Sequence, residues 1–179
     1  MELDLPSQSF DPNRYGITGT LTLGNQQHRW SVWDGQPLGR YIVMDTETTL
    51  AQQHEVPQLA MVSVSDGSQH YLLKPEQLAE LLVQHLPQNH HLIFHHIAFD
   101  FAVIDKHLAG TDAADARSWL WAAVDQHRVH DTMLLAALMT LAQHDDDRMP
   151  SLSDAVKNWC GYELGKDAYR LRFAETIGK

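Results

Sequence analysis

The sequence predicts an α/β domain in which a mixed β-sheet is flanked by helices. Three observations predict it. Short apolar runs separated by turn residues crowd the first half of the chain, as consecutive strands do. A helical stretch and a further strand-like run, Leu92-Ile93-Phe94, follow them. Beyond Phe101 most of the chain carries helical spacing.

The elements follow in order. Residues 1 to 16 are polar, contain Pro6 and Pro12, and read as a loose lead-in to one domain spanning 17–179. From Ile17 to Leu23, Ile17, Gly19, Leu21 and Leu23 alternate with Thr18, Thr20 and Thr22, which predicts a strand. Gly24-Asn25 is a turn signal, and His28 to Trp33 reads as the partner strand. Breaks at Asp34-Gly35 and Pro37-Leu38-Gly39 precede the apolar run Tyr41 to Met44, which reads as a buried strand. Leu59 to Val64 is another strand, followed by an Asp66-Gly67 turn and the strand His70 to Leu73. Pro75 suits a helix start, where the first amides have no partner within the helix. Gln77 to His85 then forms an amphipathic helix with Leu78, Leu81, Leu82 and Leu86 on one face. Helices are expected over Phe101–Leu108, Ala113–Asp125 and Asp131–Gln143, the last capped by Asp131 or Thr132. Asp145 to Asp147 reads as a solvated acidic loop; Ser151 or Ser153 caps a last helix reaching about Trp159, and Gly161 ends it.

The chemistry concentrates where the Tyr41 strand ends. Asp45 and Glu47 are spaced i, i+2, so a strand presents both on one face. Two carboxylates held together repel unless a cation or a proton lies between them. Hard oxygen ligands of this kind suit Mg²⁺ or Mn²⁺. Asp100 stands at the junction between the Leu92 strand and the helix that follows.

These three stretches, in this order, resemble the DEDD-type 3′→5′ exonucleases, the proofreading domains of family A and phage-type DNA polymerases above all. Asp45-Thr46-Glu47-Thr48 is similar to the first motif, D-x-E; His96-Ile97-Ala98-Phe99-Asp100 is similar to the second, N-x-x-[FY]-D. His130-Asp131-Thr132-Met133-Leu134-Leu135 resembles the D-T-x-x-L stretch, and Ser151-Leu152-Ser153 through Lys166-Asp167, Tyr169 and Phe173 the passage after it. The resemblance covers 41 to about 175 and implies a ribonuclease H-like fold. It implies two divalent ions, Mg²⁺ or Mn²⁺, held by Asp45, Glu47 and Asp100, with Asp45 bridging both. Thr46 would turn away and pack. Thr48, His96 and Phe99 are placed to touch the terminal nucleotide, although Thr48 also suits a turn cap and Phe99 the core. The implied substrate is the 3′ end of single-stranded DNA, with RNA open as an alternative.

Two departures stand out. His96 replaces the usual Asn. The third motif, Y-x-x-x-D or H-x-x-x-x-D, which supplies a fourth carboxylate, is expected beyond Lys166 and does not occur there. His127 with Asp131, and Tyr162 with Asp167, read as chance matches. The expectation is therefore an N-terminal piece of a longer protein, fused to a polymerase domain and weakly active alone.

Composition narrows the alternatives. With 23 acidic and 13 basic residues the formal net charge is −10, which excludes a generic DNA-coating surface. It leaves room for a nuclease whose cations supply positive charge at the chemistry. Twelve His are scattered, His90, His91, His95 and His96 around one strand, with no H-E-x-x-H pattern of a zinc enzyme. Cys160 is the one cysteine, so no internal disulfide forms. No run reaches membrane-spanning length and no secretion signal is visible, so a cytoplasmic location is expected. Two rival functions remain. One is a degenerate nuclease fold kept as a binding module. The other is a haloacid-dehalogenase-like phosphohydrolase with Asp45 as nucleophile.

Overall fold

The computed structural model describes residues 18–23, 26–50, 55–86, 89–145 and 148–164. The lead-in, the Gly24-Asn25 turn, part of the acidic loop and the passage from Gly165 onward lie outside them.

Seven strands form one mixed sheet among the described residues: β1 (Thr18–Leu23), β2 (Gln26–Val32), β3 (Tyr41–Thr48), β4 (Leu59–Ser65), β5 (His70–Leu73), β6 (His91–Phe94) and β7 (Val129–Asp131). Their order is β1-β2-β5-β4-β3-β6-β7. β3, β4 and β5 are an antiparallel meander, whereas β6 and β7 add in parallel beyond β3. At the far edge, β1 and β2 pair antiparallel and β2 joins β5 in parallel. Gly19 lies opposite Trp30, and a Cβ there would collide with the indole.

Strand alternation splits the sheet into two faces. Ile42 and Met44 of β3, Val62 and Val64 of β4, Leu73 of β5, and Leu92 and Phe94 of β6 are buried on one face. Helices cover that face. The first is α1 (Leu78–Glu80), entered by a 3₁₀ turn, Pro75–Gln77, and left by a π turn, Leu81–His85. Next come α2 (Ile97–Ala109) and α3 (Ala114–Asp125). Leu78, Leu81, Leu82 and Leu86, the expected apolar face, all join this core with Val103, Ile104, Leu108 and Leu120. On the other face Tyr41 and Val43 are exposed. α4 (Thr132–His144) and α5 (Leu152–Cys160) are the last helices among the described residues; Ser151 and Asp154 cap α5 reciprocally, and Gly161 ends it at φ +73°.

Three boundaries differ from expectation. β3 continues past Met44 through Thr48 because β4 pairs with it that far, so the carboxylates lie within the strand. α2 begins at Ile97, four residues before Phe101, and puts Asp100 in its first turn. β7, unexpected as a strand, exists through its ladder with β6.

Candidate active site

β3 outruns β6. The β3–β6 ladder stops at Val43 and Ile93, while β3 and β4 stay paired to Thr48 opposite Leu59. Beyond Val43 the backbone of β3 therefore needs another partner on that side. The Asp100 carboxylate supplies it: Oδ1 accepts from the Thr46 amide at 2.9 Å and from the Thr46 hydroxyl at 2.7 Å. Asp100 is only 3% exposed. Burial pushes its carboxyl up from the ordinary Asp value, and the Thr46 hydrogen bonds offset this only in part.

Thr46 sits between Asp45 and Glu47 in sequence and, by alternation, faces the opposite way. It is buried, as expected, but it also ties the first acidic segment to α2. Asp45 is exposed and Glu47 half-buried on the open face, across from Ser63 and Met61 of β4. Among the described residues no group of three or more His, Cys, Asp or Glu side chains is placed to hold a metal ion. The structure thus brings Asp100 onto the residue between Asp45 and Glu47 without closing the three carboxylates around a common point. As a donor set, three carboxylates suit a hard divalent cation.

The other candidates surround this junction. Thr48 is half-buried at a register shift between Glu47 and Thr48. His96 is exposed at the N-cap of α2, in the left-handed region at φ +74°. That conformation costs a residue with a Cβ on the order of 1–2 kcal/mol, and Asn, the residue it replaces in the resembling motif, bears it more easily. Phe99, for which a core role was an alternative, is 41% exposed on the first turn of α2.

Asp131 has a larger role than its sequence suggests. It caps its own helix, accepting from Met133 N at 2.8 Å and Leu134 N at 3.4 Å. It also accepts from His96 N at 3.1 Å and Ile97 N at 3.0 Å, at the start of α2. Burial alone would raise its pKa; the four amides outweigh burial and hold it below the usual carboxylate range. One carboxylate thereby fixes the first turns of two helices, α2 carrying Asp100 among them. Behind it, Thr132 Oγ1 donates to Phe94 O at 2.9 Å and meets His95 Nδ1 at 3.0 Å, which fastens the end of β6 to α4.

A family model described as 3′-5′ exonuclease matches residues 33–174. No curated protein sequence matches the chain. Among solved structures the chain is similar to Trypanosoma brucei RNase D in its complex with GMP. That match has a TM-score of 0.53 and 15% identity, over 78% of this chain and 41% of that one. It is also similar to the EXO domain of Aedes aegypti Nibbler, with a TM-score of 0.50 and 12% identity over 75% and 71% of the two chains. At these identities the likenesses concern the fold, and the chain spans less than half the length of that RNase D.

Proposed function

Because the chain belongs to the DEDD-type 3′-5′ exonuclease family, we propose that it removes nucleotides from the 3′ end of a single-stranded nucleic acid by metal-assisted phosphodiester hydrolysis. The observation that supports this most directly is the docking of Asp100 on Thr46, which ties the third carboxylate to the residue between the other two.

In this reading Asp45, Glu47 and Asp100 hold divalent cations, Mg²⁺ or Mn²⁺. Such ions activate a water and stabilise the charge that develops on phosphate and leaving oxygen. His96, at the exposed N-cap, hydrogen-bonds the terminal nucleotide, Thr48 contacts it from β3, and Phe99 offers a ring for base stacking. DNA is the substrate we assign, within the proofreading portion of a DNA polymerase. RNA is the second reading, supported by the fold likeness to RNase D. The family match sets aside the haloacid-dehalogenase alternative.

The test offers 3′-labelled single-stranded DNA and RNA of one sequence, with Mn²⁺ or with a chelator. Slow, metal-dependent loss of 3′ nucleotides, abolished in Asp45→Asn and Asp100→Asn, is expected. A Mn²⁺-dependent rise in melting temperature that both substitutions remove reports binding apart from turnover. Wild-type protein that neither degrades substrate nor responds to Mn²⁺ leaves only the binding-module reading.

A further inference from the structure

Arg128 is a buried cation with no carboxylate partner among the described residues. It lies in the turn between α3 and β7, 6% exposed, with its guanidinium 4.9 Å over the Trp119 ring. Nη1 donates to His90 O at 2.7 Å and Nε to Gln126 Oε1 at 3.0 Å. Nη2 is buried with no hydrogen-bond partner. Among the described residues no Asp or Glu forms an ion pair with it. Burying a guanidinium with an idle donor and no counter-charge is costly, and a structure that retains one invites a ligand to complete it.

Arg117 of the same molecule shows how that edge is filled. Its Nε and Nη2 hold Asp105 in a two-pronged pair at 2.7 and 3.0 Å. On Arg128 the corresponding edge has a neutral amide oxygen on Nε and nothing on Nη2. Arg128 and Gln126 line a groove of about 270 Å³ together with Asp115, Ser118, Trp119 and Ala122. We propose that this groove is an oxyanion site for the phosphate group of a nucleotide, with Arg128 as its receptor. The phosphate displaces Gln126 Oε1 and takes Nε and Nη2 together. The Ser118 hydroxyl is a further donor on the lining. Asp115 repels a bare anion but accepts from sugar hydroxyls or base amino groups, which favours a nucleotide over phosphate alone. The groove lies at the start of β6, where Leu92 N bonds Arg128 O, and Asp100 follows the end of that strand. It is therefore separate from the carboxylates and does not depend on the exonuclease reading.

Thermal melting at constant ionic strength, with a chelator present to silence the carboxylates, tests this. Inorganic phosphate and a nucleoside 5′-monophosphate are titrated against wild type, Gln126→Glu and Arg128→Lys. The monophosphate should raise the wild-type melting temperature saturably, by about 5–10 °C at a hundredfold excess over Kd, and phosphate by less. Gln126→Glu places an internal carboxylate against the idle edge. It should melt higher than wild type and lose the response, and Arg128→Lys, which keeps charge but not the fork, should lose it too. A wild type indifferent to both ligands, or a response that persists in Gln126→Glu, overturns the site. Inorganic phosphate matching the monophosphate overturns the nucleotide assignment.

Discussion

Replacing Asp131 with Ala should damage two helices at once. The carboxylate satisfies the first amides of α4 through Met133 and Leu134, and those of α2 through His96 and Ile97. Losing a cap costs about 0.5–2 kcal/mol per helix, and the Leu134 bond, at 3.4 Å, adds little. Two caps then sum to about 1–4 kcal/mol for Asp131→Ala. That corresponds to a fall in melting temperature of about 2–15 °C. Asp131→Asn keeps one oxygen, enough for α4 and for His96 N, but turns an amide donor toward Ile97 N; it should cost about half as much. The pH dependence follows from the lowered pKa. A carboxyl depressed in the folded state contributes stability above its unfolded value, near 3.9, and this is lost as pH falls through the folded value. The difference between wild type and Asp131→Ala should thus be full at neutral pH and shrink in acid. Urea denaturation across pH measures it, and hydrogen exchange locates it in the first turns of both helices. A loss under about 0.5 kcal/mol, or a loss confined to α4, refutes the double cap.

Three further outcomes are expected. Asp100→Asn should be at least as stable as wild type at neutral pH without metal, because the amide oxygen still accepts from Thr46 while the buried charge is gone. Since burial raises the Asp100 pKa, wild-type stability falls as pH climbs through the folded value, so the advantage of Asn should vanish below about pH 4; urea titrations at two pH values decide. Phe94→Ala, emptying a site 1% exposed in the central core, should cost about 3–5 kcal/mol by urea denaturation. Asp66→Ala removes the acceptor for Gly39 N at 2.8 Å and for Ser68 and Gln69 amides in the β4–β5 turn, and should cost about 1–2 kcal/mol by the same measurement.

The sheet was legible wherever its signal is local. Alternation in β1, the apolar run of β3, and the runs of β4 and β5 on either side of the Asp66-Gly67 turn each mark a strand without reference to the rest of the chain. β7 was not legible: three residues carry no period, and they are a strand only because β6 lies beside them. The end of β3 failed for the same reason, since pairing with β4 carries it through two acidic residues that alone suggest a break. The segment 75–85 shows its apolar face in sequence, yet the winding changes from 3₁₀ to α to π, which spacing cannot reveal. At the site, the i, i+2 carboxylates were visible and Thr46's hold on Asp100 was not, because a Thr flanked by acids reads the same whether it packs or donates. Half of Asp131's role was visible, as a cap; its reach to α2 depends on β7 placing it beside His96. Arg128 gave no signal at all, being a single cation in a turn.

The sheet order carries a consequence for synthesis. β3, β4 and β5 pair with near neighbours in sequence, so this meander can form once residue 73 has cleared the ribosome. The parallel strands β6 and β7 must close connections of 42 and 34 residues, 49–90 and 95–128, and come later. The nascent chain thus holds its paired acids in a finished strand before the helix bearing the third acid has left the ribosome. That helix then settles on Thr46, and Asp131, later still in the chain, fixes its first turn.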